Sequence, residues 1–320
     1  MELVPESNFT TPVPAAVNTD ATAASNADTS DIAELRRVAV YLAETAAAHV
    51  RARRPEVFGP DANEPDAVQS KSTPVDPVTI VDTETEQLVR KLVAELRPGD
   101  LVVGEEDGGS LTDDPDLVHW VVDPIDGTVN FVYGIASYSV SVAAVRGGRS
   151  VAGAVADVAH AVTYSAGLGL GAHRADSSMD GTAPGGTPIA LGANPVDTVA
   201  MALVATGFAY ATPRRTRQGQ LVAQVLPHIR DIRRFGSAAL DLCAVAEGRT
   251  DAYYEHGLNL WDWAAGALIA TEAGARLILP PAPDSPGAAG DLVSAAAPGI
   301  ADELFGLFDR LDVTTPIPVS

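Results

Sequence analysis

Carboxylates, rather than histidines or thiols, are the side chains of this sequence whose spacing could do chemistry. Four acidic segments stand out: Asp76-Pro77-Val78-Thr79-Ile80-Val81-Asp82, Val103-Gly104-Glu105-Glu106, Trp120-Val121-Val122-Asp123-Pro124-Ile125-Asp126-Gly127-Thr128, and Trp261-Asp262. In three of them the carboxylate ends a short apolar run or opens an apolar helical one, which is where open α/β sheets gather ligands. Clustered carboxylates without His or Cys suit hard cations such as Mg²⁺. Asp123 and Asp126 stand three apart around a turn-forming Pro, so one can bridge two ions while the other holds one. Two ions about 3.5–4 Å apart clamp the attacking and leaving oxygens of an in-line displacement. Gly127-Thr128 follows at once, and a helix starting there would turn free N–H groups toward a phosphate. Thr128 could orient the attacking water, with Asp82 accepting its hydroxyl proton.

Each segment alone has a plainer reading. Asp-Pro is a common turn, Asp262 can be a helix N-cap, and Asp82 can cap the Glu84–Leu96 helix while also serving catalysis. The joint pattern is what argues for a site. Other candidates are weaker. Gly167-Leu168-Gly169-Leu170-Gly171 mimics a dinucleotide loop, but no helical period follows it, so it reads as a turn among strands. Cys243 lies between Leu242 and Ala244 on an apolar helix and reads as core. The six histidines lack His-Glu-x-x-His spacing, the Asp-x-x-Asp spacing argues against a phospho-aspartyl enzyme, and neither Gly-x-Ser-x-Gly nor a P-loop is present.

The elements that must carry these residues are legible in part. Residues 1–29 lack an apolar period and read as a disordered tail. Asp31, with Glu34 three residues on, predicts a helix start ahead of Ile32, Leu35, Val38, Leu42 and Ala46. Gly59 to Ser72 reads as a loop and Val78 to Val81 as a short turn or strand. Leu88, Val89, Leu92, Val93 and Leu96 form a helical stripe ended by Pro98-Gly99. Leu101–Val103 and Val118–Val122 read as buried strands, Tyr138–Ala143 as an alternating one, and Val151–Val155 and Ala161–Ser165 as its antiparallel successors. Asp176 to Pro188 reads as a loop. The second half alternates: a strand near Met201–Ala205, a helix at about 217–226, a strand at 229–233, a helix from Ser237 to Ala246, a strand at 251–254 and a helix from Asp262 to Ala273. The division that follows is a tail (1–29), an α+β half with the main metal site (30–190), an α/β half with Asp262 and substrate contacts (191–312), and a terminal tail (313–320).

Composition bounds the class. A chain of 320 residues allows two domains or one large one. With 46% hydrophobic and 20% charged residues it has apolar material for a sizeable core. The net charge of −21 repels a nucleic-acid backbone, and it would repel a phosphorylated substrate too unless bound cations invert the local potential. No run of about 18 apolar residues predicts a membrane span, no secretory signal is expected, and the lone Cys243 fits a reducing, cytoplasmic setting.

Taken together, the segments resemble the inositol monophosphatase family of Mg²⁺-dependent, lithium-sensitive phosphatases over roughly residues 31–312. The resemblance rests on Trp120 to Phe131, Leu260 to Gly274, Gly104-Glu105-Glu106 and the Lys71 to Asp82 stretch. Asn130 to Gly134, Gly236 to Asp241 and Asp251 to Glu255 are similar to its actinobacterial, SuhB-type branch. It implies a layered αβαβα sandwich, usually a homodimer, with two to three Mg²⁺ ions. It further implies that Glu105, Asp123 and the Ile125 carbonyl hold the first metal, and Asp123, Asp126 and Asp262 the second, with a weaker third ion near Glu105. Gly127 and Thr128 amides would bind phosphate, and Thr128 with Asp82 would activate the water. Asp126, Glu255 and the Ala238 backbone would bind inositol hydroxyls, and Lys71 and Asp76 would lie on a mobile loop. The helix signature ends Gly274-Ala275 where Gly-Gly is frequent, which touches no ligand.

The leading expectation is hydrolysis of inositol-1-phosphate, a small phosphorylated polyol. Alternatives sharing the metal site are histidinol phosphate, fructose-1,6-bisphosphate and 3′-phosphoadenosine-5′-phosphate. A different class is a partner role in the transcription machinery, which proteins resembling this one can bind.

Overall fold

The computed structural model describes residues 26–59, 68–70, 77–177 and 186–319. The disorder expected over residues 1–25, Lys71, Asp76, and most of the loops expected at 59–72 and 176–188 lie outside these.

In chain order the elements are α1 (Asn26–Phe58), β1 (Val68–Ser70), β2 (Pro77–Thr79), α2 (Ile80–Leu96), β3 (Leu101–Gly104), β4 (Val118–Asp126), α3 (Thr128–Tyr133), β5 (Ser139–Arg146), β6 (Arg149–Asp157), β7 (Val162–Gly167), β8 (Ala172–Asp176) and β9 (Ile189–Ala190). There follow β10 (Leu203–Thr206), α4 (Thr212–Val225), β11 (Asp231–Arg233), α5 (Ala238–Ala246), β12 (Ala252–His256), α6 (Leu260–Glu272), β13 (Arg276–Ile278), β14 (Leu292–Ala296) and α7 (Ala301–Arg310).

Strands β3 to β9 form a seven-stranded sheet in sequence order, antiparallel throughout except for the parallel β3–β4 pair. Meander order follows from the tight Gly147-Gly148 turn between β5 and β6 and the short links joining β6, β7 and β8. The second sheet runs β11-β10-β12-β14-β13, parallel across β11, β10 and β12 and antiparallel beyond. Helix α1 lays Leu35, Val38, Ala39, Leu42, Ala43, Ala46 and Val50 on one face of the large sheet beside Val89 and Val93 of α2. Helices α5 and α6, apolar nearly all round, fill the space between the two sheets, as fully buried helices must. Leu221 and Val225 of α4 and Leu304 and Phe308 of α7 cover the outer face of the small sheet. The result is the five-layer αβαβα order.

Four boundaries differ from the sequence reading, one being the start of α2, at Ile80 rather than the expected Glu84. Helix α1 is already helical at Asn26, so Asp31 is not its cap; the apolar stripe docks the helix, and Asp31 pairs with Arg146 on β5 at 2.6 Å. Residues 26–29, expected in the tail, are its first turn. Helix α4 starts at Thr212, not near 217, with Pro213 in its first turn, where a missing N–H costs nothing. Residues 313–319 are not a free tail. Val313 is fully buried, its amide donates to Phe308, and its carbonyl meets His256 Nε2 at 2.7 Å.

That last contact gives a pH prediction. Burial pushes the His256 imidazole down to about 4; the Val313 carbonyl opposes this, and the Arg214 and Arg217 charges add to it. The folded state therefore declines a proton that the unfolded chain accepts below about 6.5. The stability from a neutral His256 is full above about pH 6.5 and is lost as pH falls toward 4. Between pH 7 and 5 the wild-type protein should lose about 2 kcal/mol more than His256→Gln. Urea midpoints of the two proteins at both pH values check this; parallel shifts would refute it.

Candidate active site

Strand β4 is buried along its whole length and ends in the acidic pair. Residues three apart on a regular strand point to opposite faces. Here Asp123 pairs with Ser141 and Asp126 with Ser139, so three steps on β4 answer two on β5. That bulge adds one residue and turns both carboxylates toward one cavity. The Ile125 amide donates to Asp123 Oδ1 at 3.0 Å and fixes its rotamer. Gly127 then takes φ +94, and a Cβ there would lie 2.9 Å from the Ser137 carbonyl. Only glycine makes this turn cheaply. It leads into α3, a helix of six residues.

The cavity, about 650 Å³, is lined by Glu105, Asp123, Ile125, Asp126, Gly127, Thr128, Ala238, Glu255 and Asp262 among others. The structure thus gathers ten of the twelve residues singled out from the sequence around one space, counting Asp82, which reaches it through Thr128; Lys71 and Asp76 lie outside the described residues. Asp82 is buried as the third residue of α2, not as its cap. The N-cap is Thr79, whose amide and hydroxyl both donate to Asp82 Oδ2, at 2.9 and 2.5 Å. The other oxygen accepts from the Thr128 hydroxyl at 3.2 Å, and the Thr128 hydroxyl also lies 3.0 Å from the Ile125 carbonyl. Asp262 is likewise the third residue of its helix. Asn259 is the N-cap, and its amide donates to Asp262 Oδ2 at 2.7 Å. A capping box and a site residue coincide in both helices.

Asp126 is seated on the start of α5. Its Oδ2 accepts from the Ser237 hydroxyl at 2.5 Å and the Ala239 amide at 2.7 Å, and the Ala238 amide donates to the same carboxylate. Ala238 therefore lines the cavity with its amide already given to Asp126. Glu255 accepts from Tyr253 Oη at 2.9 Å.

These carboxyls are electrostatically frustrated. Asp123 and Asp126 are 2% and 8% exposed; Asp262 and Glu255 open partly onto the cavity but are otherwise enclosed. Burial pushes the Asp123 carboxyl well above the usual range, and the charges of Glu105, Asp126 and Asp262 push it further. Burial, then Glu105 and Asp126, do the same to Asp262, partly relieved by the Asn259 amide. Asp126 is pushed up to about 6, the bonds from Ser237 and the α5 amides holding it below its neighbours. Burial pushes Asp82 up to about 7 against the Thr79 hydrogen bond, with Glu105 and Glu106 adding to the rise, and Glu255 also rises to about 7 by burial. Oxygen donors that repel one another in a buried site fit a hard divalent cation, whose charge favours their ionised forms. Among the described residues no three acidic, histidine or cysteine side chains converge tightly enough to enclose an ion unaided. Mg²⁺ does not require that, since it keeps waters and shares its shell with substrate phosphate.

Two residues escaped the sequence reading. Glu86 on α2 is fully buried and accepts from the Glu106 amide at 2.7 Å and the Asp107 amide at 2.9 Å, while Arg90 grips its Oε1 at 2.7 Å. A Cβ on Gly104 would stand 2.3 Å from that carboxylate, so Gly104 makes room for the acid that holds the Glu105 turn. The Glu105 amide is tied to Val122 of β4 on the other side. The second is Asp241 on α5, buried, with Oδ1 lacking a hydrogen-bond partner; burial and the Glu255 and Asp126 charges push it well above the usual range. Helical phase alone would have put Glu86 on the same face as Asp82, the one available signal; nothing local marks Asp241. The glycine-rich segment is a turn between β7 and β8 whose Gly169 and Gly171 amides both hold Glu272 at 2.8 Å. Cys243 is core.

The sequence model of the inositol monophosphatase family matches residues 31–305. The Mycobacterium tuberculosis protein named inositol-1-monophosphatase SuhB is 56% identical over 291 residues, covering 89% of this chain and 97% of its own length. The solved structure of Mycobacterium tuberculosis SuhB superimposes with a TM-score of 0.72 at 52% identity, covering 88% of this chain and 97% of that one. A Pasteurella multocida protein named Nus factor SuhB is 36% identical over 200 residues, 62% of this chain and 70% of its own.

Proposed function

We propose that this chain, which belongs to the inositol monophosphatase family and is a phosphatase, hydrolyses inositol-1-phosphate with Mg²⁺ held by Glu105, Asp123, the Ile125 carbonyl, Asp126 and Asp262. The observation that carries the reading is the convergence of mutually repelling carboxylates from three chain segments on one cavity beside a Thr128–Asp82 pair. When bound, the ions lower the pKa of an attacking water and neutralise the leaving oxygen.

The chain's own residues do the rest. Thr128 donates its hydroxyl hydrogen bond to Asp82, which leaves its oxygen lone pairs to accept from a water and aim it. Gly127 and Thr128 amides bind the phosphate. Asp126 is held still by Ser237 and the α5 amides. Glu255, with Tyr253 fixing one oxygen, accepts from ring hydroxyls, which favours a polyol over an apolar alcohol. Thr128→Ala should lower turnover about 10²-fold with little change in KM, and Thr128→Ser should restore most of it; an alanine variant at wild-type turnover would sink this role.

The test of the whole reading is Mg²⁺-dependent phosphate release from inositol-1-phosphate, histidinol phosphate, fructose-1,6-bisphosphate and 3′-phosphoadenosine-5′-phosphate. Preference for the first supports the reading; preference for another keeps the mechanism and moves the substrate. The same reading includes a cytoplasmic homodimer, which light scattering and cell fractionation check. Among the described residues no helix is long and apolar enough to cross a membrane. Likeness to a relative named Nus factor favours a second role with the transcription machinery. A complex that survives Asp123→Asn would support it, and its absence in the wild type would dismiss it.

A further inference from the structure

The family match ends at residue 305, but the chain continues onto the rim of the cavity. After Val313, the Ile317 amide donates to the Gly290 carbonyl at 2.9 Å and the Val319 amide to the Ala288 carbonyl at 3.0 Å. Arg214, only 4% exposed, closes the clasp: Nε donates to the Ile317 carbonyl at 2.5 Å and Nη2 to the Ala288 carbonyl at 2.9 Å. Burial pushes this guanidinium below its usual range. Its hydrogen bonds go to two neutral carbonyls, a costly use of a buried cation. Val319, 46% exposed, then lines the cavity with Phe208, Tyr210 and Leu258.

The clasp also reaches the acidic end. The turn Gly287–Ala289 that carries Val319 is tied through the Gly287 amide to Asn259 Oδ1 at 2.9 Å. The Asn259 amide in turn holds Asp262 at 2.7 Å. One side of the cavity therefore carries carboxylates, and this side carries Phe208, Tyr210 and Leu258 with Val319, the one residue of 313–319 that lines it, on a strap that its own amides and Arg214 hold in place.

We propose that Val319, held at the cavity rim by the 313–319 strap, helps select the alcohol of the phosphate ester, admitting compact alcohols and limiting bulky apolar ones, with Arg214 as the clasp. The inference rests on the cavity being the phosphatase site. A strap that narrows the cavity acts on the alcohol and not on the transferred phosphate, so its effect falls on KM and on the choice between esters.

The experiment compares kcat/KM for 1-naphthyl phosphate and inositol-1-phosphate. A chain ending at Pro316 should raise the naphthyl-to-inositol ratio about tenfold, carried by KM, the size a hydrophobic contact gives. Val319→Trp, at a half-exposed position that does not test folding, should lower the ratio by a similar factor, and Val319→Gly should raise it. An unchanged ratio in the two Val319 variants, with wild type hydrolysing both esters, overturns the strap's role while leaving the phosphatase reading intact. Wild type hydrolysing neither ester overturns both.

Discussion

Asp123→Asn should cut turnover by about 10³-fold and yet raise the melting temperature of the metal-free protein. The first effect follows from removing the carboxylate proposed to serve both ions, at about 4 kcal/mol of barrier. The second follows from the geometry. Asp123 is buried, and the charges of Glu105, Asp126 and Asp262 surround it. An aspartate whose carboxyl is raised in the fold costs stability at every pH where the unfolded chain is ionised, about 1.4 kcal/mol per pKa unit. Asparagine keeps the Oδ1 acceptor for the Ile125 amide and removes the charge. The gain should appear as a rise of about 2 °C or more in chelator, and as a smaller rise on adding Mg²⁺ than the wild type shows. Thermal melts with and without Mg²⁺, run beside phosphate-release assays, check both halves. Wild-type turnover would defeat the metal assignment; a lower melting temperature in chelator would defeat the electrostatic argument.

Glu86→Ala should cost about 3 kcal/mol and weaken Mg²⁺ binding about 10- to 100-fold, though Glu86 itself does not line the cavity. The substitution strands the Glu106 and Asp107 amides and takes from Arg90 its buried carboxylate partner, leaving its hydrogen bonds to carbonyls only, and a broken buried charge pair costs that much. Loss of affinity on this scale is what outlying partners of metal ligands show, here because the turn bearing Glu105 would lose the carboxylate that anchors the two amides following it. Glu86→Gln keeps the volume and one acceptor and should fall between. Calorimetric Mg²⁺ titration separates the two roles: lost stability with unchanged affinity would leave Glu86 a structural residue only.

The sequence marked the acidic segments because their ligand chemistry is written in residue type, and it marked most strands and helices because periods of 2 and 3.6 are local. It missed where α4 begins because no side chain caps that start, and where α2 begins because Thr79, not Asp82, is its cap. It also read Asp82 and Asp262 as possible caps when each is the third residue of a capping box.

What residue type and spacing determined by themselves is therefore the layered α/β class, the family resemblance and the acidic residues that face the cavity. Tertiary structure alone decided how those residues become a site. The β4 bulge, visible only against β5, brings Asp123 and Asp126 to one side. Glu86 meets its turn 20 residues away, Ser237 meets Asp126 across 111, and Arg214 meets Ile317 across 103. No local period records such partners, because packing chooses them: a buried donor or acceptor must find its complement wherever the fold brings one.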